Sequence, residues 1–266
     1  MLSAYNKSVP ISTPSQAPAP AILPGWDNFD ASLVDIDGTL LREPNRIHVN
    51  AFSATLREVL QRDDISLNGV TVHGSTDAAI LRDACRNAGV DDAHWQPLEQ
   101  TIFSRLSEMV HTQREQMEVV LMPGVVPMLE YLAGRGAVLG VGTGNLETIG
   151  WLKLELAGLR QHFHFGGFSD RFAVRSAMIA HAAEEARKLA GPHATLCVIG
   201  DTPSDVTAAH ANGIPAIAVA TSIFSVEELA KSNPEWAVLS LETLLEQAIN
   251  AQTIPAAASS NRKSGN

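Results

Sequence analysis

The chain has 266 residues, of which 45% are hydrophobic and 18% charged, the composition of an ordinary globular protein. Its formal net charge of −10, with no basic stripe along the sequence, argues against a nucleic-acid-binding protein. No segment carries the run of about 18 apolar residues that a membrane-spanning helix needs, so we expect no membrane association.

The two ends of the chain differ from its interior in composition. Residues 1–26 contain five prolines and one lysine, without the basic and then apolar order of a signal peptide. The C-terminal residues are rich in alanine, serine and asparagine. We predict a disordered leader over residues 1–26 and a disordered tail over residues 251–266.

The first predicted strand ends in two aspartates. Asp35 and Asp37 close the apolar run ASLVDID, and residues two apart on a strand point to the same side. Gly38 lets the chain turn away steeply, and Thr39 can form a hydrogen bond near Asp37. Two carboxylates this close repel unless a cation or a shared proton intervenes. The pattern therefore indicates a functional site rather than an ordinary Asp-Gly turn.

Residues 42–120 contain no convincing strand. Apolar spacing predicts three helical segments there, over residues 46–62, 76–90 and 95–117. A crossover between parallel strands needs only about a dozen residues. An insert of this length is most economically a second, all-helical subdomain. We predict a helical cap over residues 42–120, and a core formed by residues 27–41 and 121–250.

The two cysteines, Cys85 and Cys197, are far apart and lack metal-ligand spacing. We therefore expect neither a disulfide nor a zinc site. Cys197 lies in the apolar run ATLCVIG, where a buried and unreactive thiol is expected. A reducing compartment fits this cysteine usage, and we predict a cytoplasmic protein.

The second strand-like run of the core ends in VGTGN. Thr143, Gly144 and Asn145 precede a predicted helix, where a hydroxyl and backbone amides can bind an anion. The run also resembles the glycine-rich loop of methyltransferases and, more loosely, a dinucleotide fingerprint. However, Glu147 replaces the third glycine of the fingerprint, and Gly140 stands where the methyltransferase loop carries an acid. A methyltransferase is thus a remote alternative.

A second acidic pair follows the third strand-like run. Asp201 closes the strand, and Asp205 lies about one turn into the next predicted helix, so that both can face the strand tip. Alternatively, the two acids only cap that helix. Together with Asp35 and Asp37 they place up to four carboxylates at neighbouring strand ends. Such a set of oxygen ligands suits Mg²⁺.

Strands and helices alternate through the predicted core. Helices are predicted over residues 146–158, 174–190, 203–212 and 241–250, each near a buried strand-like run. This alternation predicts an α/β fold, with a parallel sheet covered by helices on both faces.

In order, the segments DIDGTLL, VGTGN, FSDRFAVRSAMIAHAAEEA and IGDTPSDVTAAHANG resemble the motifs of the haloacid dehalogenase superfamily of phosphohydrolases. The resemblance covers roughly residues 30–250. The chain is most similar to the phosphoglycolate-phosphatase-like branch, whose helical cap is inserted just after the first motif, and HGSTDAAIL resembles that branch's cap segment. The resemblance implies a Rossmann-like core with a helical cap and a Mg²⁺-dependent phosphatase for a small phosphorylated metabolite.

The resemblance also implies roles for the motif residues. Asp35 would attack phosphorus and form an aspartyl-phosphate, and Asp37 would be the general acid and base. Thr143, Gly144 and Asn145 would bind the phosphoryl oxygens. The implied Mg²⁺ ligands are the Asp35 carboxylate, the Asp37 backbone carbonyl, Asp201 and Asp205, the last directly or through water.

The family's third motif is usually a lysine followed by Pro-x-Pro, and this signature is absent from the sequence. Arg175 stands at the matching place, and a related phosphatase group uses arginine there. The resemblance therefore implies that Arg175 offsets the phosphoryl charge. Arg171 and Lys153 remain open as substitutes.

Four residues of the predicted cap are candidates for substrate specificity: His73, Ser75, Thr76 and Asp77. Alternatively, Ser-Thr-Asp simply caps the helix that begins there.

The same residues distinguish among other activities of the superfamily. A dehalogenase needs no second acid, so Asp37 argues against it, and a phosphonatase uses a cap lysine, which residues 42–120 lack. A sugar-phosphate mutase keeps both acids and is the main alternative. A non-catalytic binding protein is a remote one, because every acidic position is present. We expect a monomer or a homodimer.

Overall fold

The computed structural model describes residues 25–253, and the side chains of residues 25–250. The strands are β1 (Ala31–Val34), β2 (Leu41–Arg42), β3 (Val120–Leu121), β4 (Val138–Gly142), β5 (Phe165–Gly167), β6 (Leu196–Gly200), β7 (Ala216–Val219) and β8 (Trp236–Val238). The α-helices are α1 (Ile47–Leu60), α2 (Asp77–Asn87), α3 (Asp92–Trp95), α4 (Glu99–Thr112), α5 (Val125–Gly134), α6 (Glu147–Leu156), α7 (Arg175–Ala190), α8 (Pro203–His210), α9 (Val226–Ala230) and α10 (Leu241–Thr253). Short 3-10 helices cover Arg114–Gln116 and Arg160–His162.

Six strands form one parallel sheet in the order β5-β4-β1-β6-β7-β8. The central strand β1 pairs with β4 on one side, Ala31 opposite Val138, and with β6 on the other, Ala31 opposite Leu196. The predicted α/β fold is confirmed. Strand order reverses at β1, and ligands of such sheets bind at this point, beyond the carboxyl ends of the strands. The segments that follow β1, β4 and β6 meet there.

The two faces of the sheet bury alternate residues of β1. Ala31 and Leu33 pack in an apolar cluster with Met178 of α7 and with residues of α8. Val34 belongs to a second cluster, which includes Leu129 of α5 and residues of α10. Because alternate residues of β1 are buried on opposite faces, helices pack on both sides of the sheet. This packing fixes the direction in which β1 leads into the turn that contains Asp35 and Asp37.

The interval between β2 and β3 contains helices and connecting loops, with no strand among its described residues. Phe52, Leu81 and Leu106, from α1, α2 and α4, form an apolar cluster that continues onto Ile149 and Leu152 of α6. The predicted helices are therefore present. The division into a core and a separate cap stays a prediction, because this cluster runs without interruption onto a core helix. At the point where the chain enters this interval and leaves it again, β2 and β3 pair antiparallel.

The predicted leader extends too far by two residues. Residues 1–24 lie outside the described residues, but Trp26 is only 3% exposed and its ring lies 6.0 Å from that of Tyr131 on α5. Burial of a large indole stabilises this turn against α5. At the other end, α10 continues through Thr253, so the predicted tail begins too early, and its residues 254–266 lie outside the described residues.

Both cysteine thiols are free and buried, as expected for Cys197. Burial raises the pKa of Cys85 to about 11 and that of Cys197 to about 12, which leaves little reactive thiolate near neutral pH. Within residues 25–253, no helix is long and apolar enough to cross a membrane.

The burial of Trp26 predicts that Trp26→Ala destabilises the protein. The free energy of unfolding should fall by about 3–5 kcal/mol, as for other large-to-small changes in a core. Urea denaturation followed by far-ultraviolet circular dichroism measures this difference. Leu239→Ala is the control, because Leu239 is 64% exposed and its change should stay within about 0.5 kcal/mol. Equal effects of the two substitutions would show that Trp26 lies outside the core.

Candidate active site

The two aspartates after β1 have different surroundings. The strand ends at Val34, so a turn rather than strand alternation orients Asp35 and Asp37. Asp35 is 5% exposed and faces Arg175, whose Nη2 lies 3.1 Å from its Oδ1. The Asp37 carboxylate keeps 43% exposure and accepts hydrogen bonds from Lys153 at 2.7 and 2.8 Å. Both acids line one cavity of about 260 Å³.

The turn that follows the two acids fits only glycine at position 38. Gly38 has φ of 88°, and a Cβ there would lie 2.3 Å from Asp201 Oδ2. The hydroxyl of Thr39 donates to Asp201 Oδ1 at 2.9 Å. The sequence prediction placed this hydrogen bond near Asp37, so it is corrected: Thr39 links the first acidic turn to the end of β6.

Three buried carboxylates meet beyond the strand ends. Asp35, Asp201 and Asp205 each offer an oxygen within 4.8 Å of the other two. Burial, together with the neighbouring acids, raises the pKa of Asp35 well above its usual range, although Arg175 opposes the shift. Burial and the neighbouring Asp205 raise the pKa of Asp201 to about 7. Three carboxylates that repel one another in this way are suitable ligands for a hard divalent cation such as Mg²⁺.

Asp205 caps a helix and also faces the acidic cluster. Its Oδ2 accepts hydrogen bonds from the backbone N–H and the hydroxyl of Thr202, at 3.0 and 2.8 Å, and so caps α8. Its Oδ1 lies 2.6 Å from Arg175 Nη2. Arg175 therefore bridges Asp35 and Asp205 and neutralises part of the acidic cluster.

The loop after β4 offers two donors to an anion. Thr143 Oγ1 accepts from the side chain of Asn145 at 2.8 Å, which leaves the threonine proton free to be donated. The N–H of Gly144 makes no hydrogen bond to any described residue. Asn145 was predicted to bind phosphate, but its amide donates to Asp37 Oδ2 at 2.7 Å and its carbonyl accepts from Lys153. It thus orients Asp37.

Lys153 is a buried cation that the sequence could place only as a possible substitute for Arg175. Besides Asp37 and Asn145, its ammonium lies 3.0 Å from Nδ1 of His48. An ammonium only donates, so Nδ1 accepts, and the imidazole proton sits on Nε2, 3.1 Å from Asp77 Oδ2. Partial burial raises the pKa of Asp37, but the charge of Lys153 and hydrogen bonds from Lys153 and Asn145 lower it below its ordinary value.

The four predicted cap residues have different positions. His73 and Ser75 line the cavity. Thr76 was predicted to bind substrate, but it is buried and caps α2: its Oγ1 accepts from Ala79 N and donates to the Ala173 carbonyl. Asp77 touches the cavity, but its Oδ2 accepts a hydrogen bond from the N–H of Leu146 at 2.8 Å and lies 3.1 Å from Nε2 of His48.

Sequence reasoning missed three titratable residues of this cavity: Arg42, Glu43 and His48. A polar residue on the buried face of α1 was the available signal for His48. Glu43 Oε1 accepts from the backbone N–H of His48 at 3.0 Å, and its Oε2 lies 3.9 Å from Lys153. Arg171, the remaining candidate for the third motif, lies in a separate cavity beside Trp151. The structure therefore brings Arg175 and Lys153, but not Arg171, to the acids.

Comparison with protein families matches residues 33–219 to the model of the haloacid dehalogenase-like hydrolases. A phosphoglycolate phosphatase of Mesorhizobium japonicum is 24% identical over 186 residues, 70% of this chain and 80% of that protein. The protein named "Probable phosphatase IndB" of Dickeya dadantii is 27% identical over 211 residues, 76% of this chain and 86% of that protein. A predicted phosphatase from Clostridium acetobutylicum shares the fold, with a TM-score of 0.62 at 19% identity over 84% of this chain and 99% of that one.

The position of Arg175 predicts that Arg175→Met destabilises the protein when no divalent cation is added. Removing one partner of a buried ion pair leaves uncompensated charge and costs about 3–5 kcal/mol. Thermal denaturation with and without MgCl₂ measures the loss, and the added cation should restore part of it. Arg171→Met is the control and should behave as wild type. An Arg175→Met protein of unchanged stability would contradict this electrostatic role.

Proposed function

Because the chain belongs to the haloacid dehalogenase-like hydrolase family, we propose that this phosphatase is a Mg²⁺-dependent phosphomonoesterase that forms an aspartyl-phosphate on Asp35. One observation carries the proposal: Asp35 and Asp37 line the same cavity, but Asp35 is buried beside Arg175 in the acidic cluster, whereas the half-exposed Asp37 carboxylate is held by Lys153. Two carboxylates with different environments can take two different roles in one reaction. The proposed substrate is a small phosphorylated metabolite.

Asp35 is the proposed nucleophile. One of its oxygens is bound by Arg175, and the residue lies at the carboxyl end of the central strand, where the acidic cluster and the VGTGN loop meet. Attack on phosphorus would form the Asp35–phosphorus bond and break the bond to the leaving alkoxide oxygen. Arg175 would reduce repulsion between the attacking carboxylate and the phosphate.

Asp37 is the proposed general acid and base. Lys153 and Asn145 fix its carboxylate, and they hold it ionised before substrate enters. The negative charge of an entering phosphate favours the protonated acid, which can then protonate the leaving alkoxide. After the alcohol departs, the carboxylate would take a proton from the water that hydrolyses the aspartyl-phosphate.

The phosphoryl oxygens would be bound by the Thr143 hydroxyl and the Gly144 N–H, the two open donors of the loop after β4. Asp35, Asp201 and Asp205 would hold Mg²⁺ with the Asp37 carbonyl, since the Asp37 side chain is engaged by Lys153. When bound, Mg²⁺ neutralises phosphate charge and polarises the phosphoryl group.

The cavity has a volume of about 260 Å³, which accommodates a phosphate ester of a small alcohol.

Removal of divalent cations should abolish activity, because uncompensated carboxylates would repel a phosphate dianion. Turnover of p-nitrophenyl phosphate after exhaustive EDTA treatment measures this, with MgCl₂ added back. Asp201→Asn should weaken Mg²⁺ binding roughly 10-fold or more in calorimetric titration. Substitution of a residue that only forms a hydrogen bond to a metal ligand already lowers metal affinity by about that factor. Asp63→Asn, an exposed change away from the cavity, should leave binding unchanged. Undiminished turnover in EDTA would refute the metal requirement.

Asp37→Asn should separate the two halves of the reaction. Turnover of an alkyl phosphate should fall on the order of 10²–10⁴-fold, because the leaving alkoxide needs a proton. The p-nitrophenolate ion leaves without a proton, so with that ester the enzyme should be phosphorylated and hydrolysis should stall. Rapid acid quench and mass spectrometry should find a phosphoryl group on Asp35. Equal losses for both esters, with no adduct, would mean that Asp37 only supports the metal site.

A further inference from the structure

Helix α6 begins directly after the loop that follows β4, and its own sequence does not cap it. Its N-cap residue is Leu146, whose side chain cannot accept a hydrogen bond, so the first N–H groups of the helix need acceptors from elsewhere. Asp77 Oδ2 accepts from the N–H of Leu146 at 2.8 Å. Asp170 Oδ2 accepts from the N–H of Glu147 at 2.6 Å. Two carboxylates from distant segments therefore fix the start of α6.

Asp170 belongs to a segment that lies along the loop after β4. The N–H of Thr143 donates to the Gly167 carbonyl at 3.1 Å, and the N–H of Ser169 donates to the Asn145 carbonyl at 3.0 Å. Together with the hydrogen bond that Asp170 accepts from the start of α6, these contacts hold the loop from its first residue to its last. The two donors proposed to bind the phosphoryl oxygens belong to this loop.

Asp170 itself lies outside the active site. It is partly buried and lines a second cavity beside Trp151, and it is not among the residues that line the cavity of Asp35 and Asp37. The charge of a carboxylate near a phosphate dianion opposes binding, because like charges repel. Any favourable effect of Asp170 on phosphate binding therefore has to act through the backbone that its carboxylate holds.

We propose that Asp170 is a positioning residue for phosphate binding, which fixes the start of α6 and thereby keeps the Gly144 N–H and the Thr143 hydroxyl in place for the phosphoryl oxygens. This inference rests on the proposed phosphatase function and adds to it a residue outside the active-site cavity. Donors that are fixed before the substrate enters stabilise the phosphoryl group without a cost for ordering the loop. Since carboxylates occupy the first N–H groups of α6, phosphate binding depends on the few donors that precede them.

Asp170→Ala removes the acceptor at the start of α6 and should weaken the binding of inorganic phosphate. The measurement is the inhibition constant of phosphate against turnover of p-nitrophenyl phosphate. This constant should rise roughly 10- to 100-fold, and kcat/KM should fall by a similar factor, because misplacement of a positioned group by about 1 Å can cost 10²-fold. The affinity for Mg²⁺ in calorimetric titration should stay at the wild-type value, since Asp170 is not part of the acidic cluster.

Asp170→Asn should rescue phosphate binding, because the amide oxygen can still accept the hydrogen bond from the N–H of Glu147. A purely electrostatic role of Asp170 predicts a different pattern. Both substitutions would then remove a negative charge near the phosphate, and both would lower the inhibition constant. The direction of the change in Asp170→Ala therefore distinguishes positioning from charge.

Asp91→Ala is the matched control for the loss of a helix cap. Asp91 is an exposed aspartate that caps α3 by accepting from the N–H of His94 at 3.0 Å, and it does not line the active-site cavity. Its substitution should leave the inhibition constant of phosphate unchanged. Circular dichroism checks that each variant is folded. If Asp170→Ala does not fold, Asp170→Leu takes its place, because leucine has a similar shape to aspartate and no acceptor.

The outcomes separate this inference from the proposed function. An unchanged or lowered inhibition constant in Asp170→Ala, in a protein that still turns over p-nitrophenyl phosphate, would overturn the role of Asp170 and leave the phosphatase function intact. The same holds if Asp170→Asn is impaired as much as Asp170→Ala, or if Asp91→Ala raises the constant equally. Absence of turnover by the wild-type protein with every phosphate ester would overturn the proposed function, and this inference with it.

Discussion

Repulsion among carboxylates at the end of β1 is the constraint on which the rest of the site depends. Asp35, Asp201 and Asp205 are buried within 4.8 Å of one another, and Asp37 follows Asp35 by two residues. Two buried cations separate these four carboxylates into two groups. Arg175 lies on the side of Asp35, and Lys153 lies on the side of Asp37. Burial and the neighbouring acids raise the pKa of Asp35 in spite of Arg175, whereas Lys153 helps to lower the pKa of Asp37, although the two aspartates share a turn.

The sheet makes this division possible because it brings distant segments to one edge. Lys153 reaches Asp37 from α6, 116 residues along the chain, and Thr39 reaches Asp201 across 162 residues. Both contacts require β1 to lie between β4 and β6. The position of the strand order reversal thus determines where charge can be concentrated, and the flanking apolar clusters supply the rigidity that keeps like charges together.

The sequence predicts the parts of this arrangement that have a local signature. Nearly continuous apolar runs locate β1, β4, β6 and β7, and Asp35 and Asp201 are visible because each follows such a run. The missing parts depend on contacts between segments far apart. Nothing local distinguishes Lys153 from a solvated helix lysine until α6 is placed over Asp37. The burial of Trp26 likewise depends on α5, while its own neighbours in the sequence suggest disorder.

The linker before α2 and the loop after β4 are built into each other. The N–H of Asp77 donates to the Gly144 carbonyl at 2.7 Å, and Asp77 Oδ2 accepts from the N–H of Leu146. A Cβ on Gly144 would lie 2.6 Å from the Ser75 carbonyl. The helical insert is therefore not an independent module for recombination. A chimera that received the insert of another family member would also need that member's VGTGN counterpart, since the two segments supply each other's hydrogen bonds and leave no room for a side chain between them.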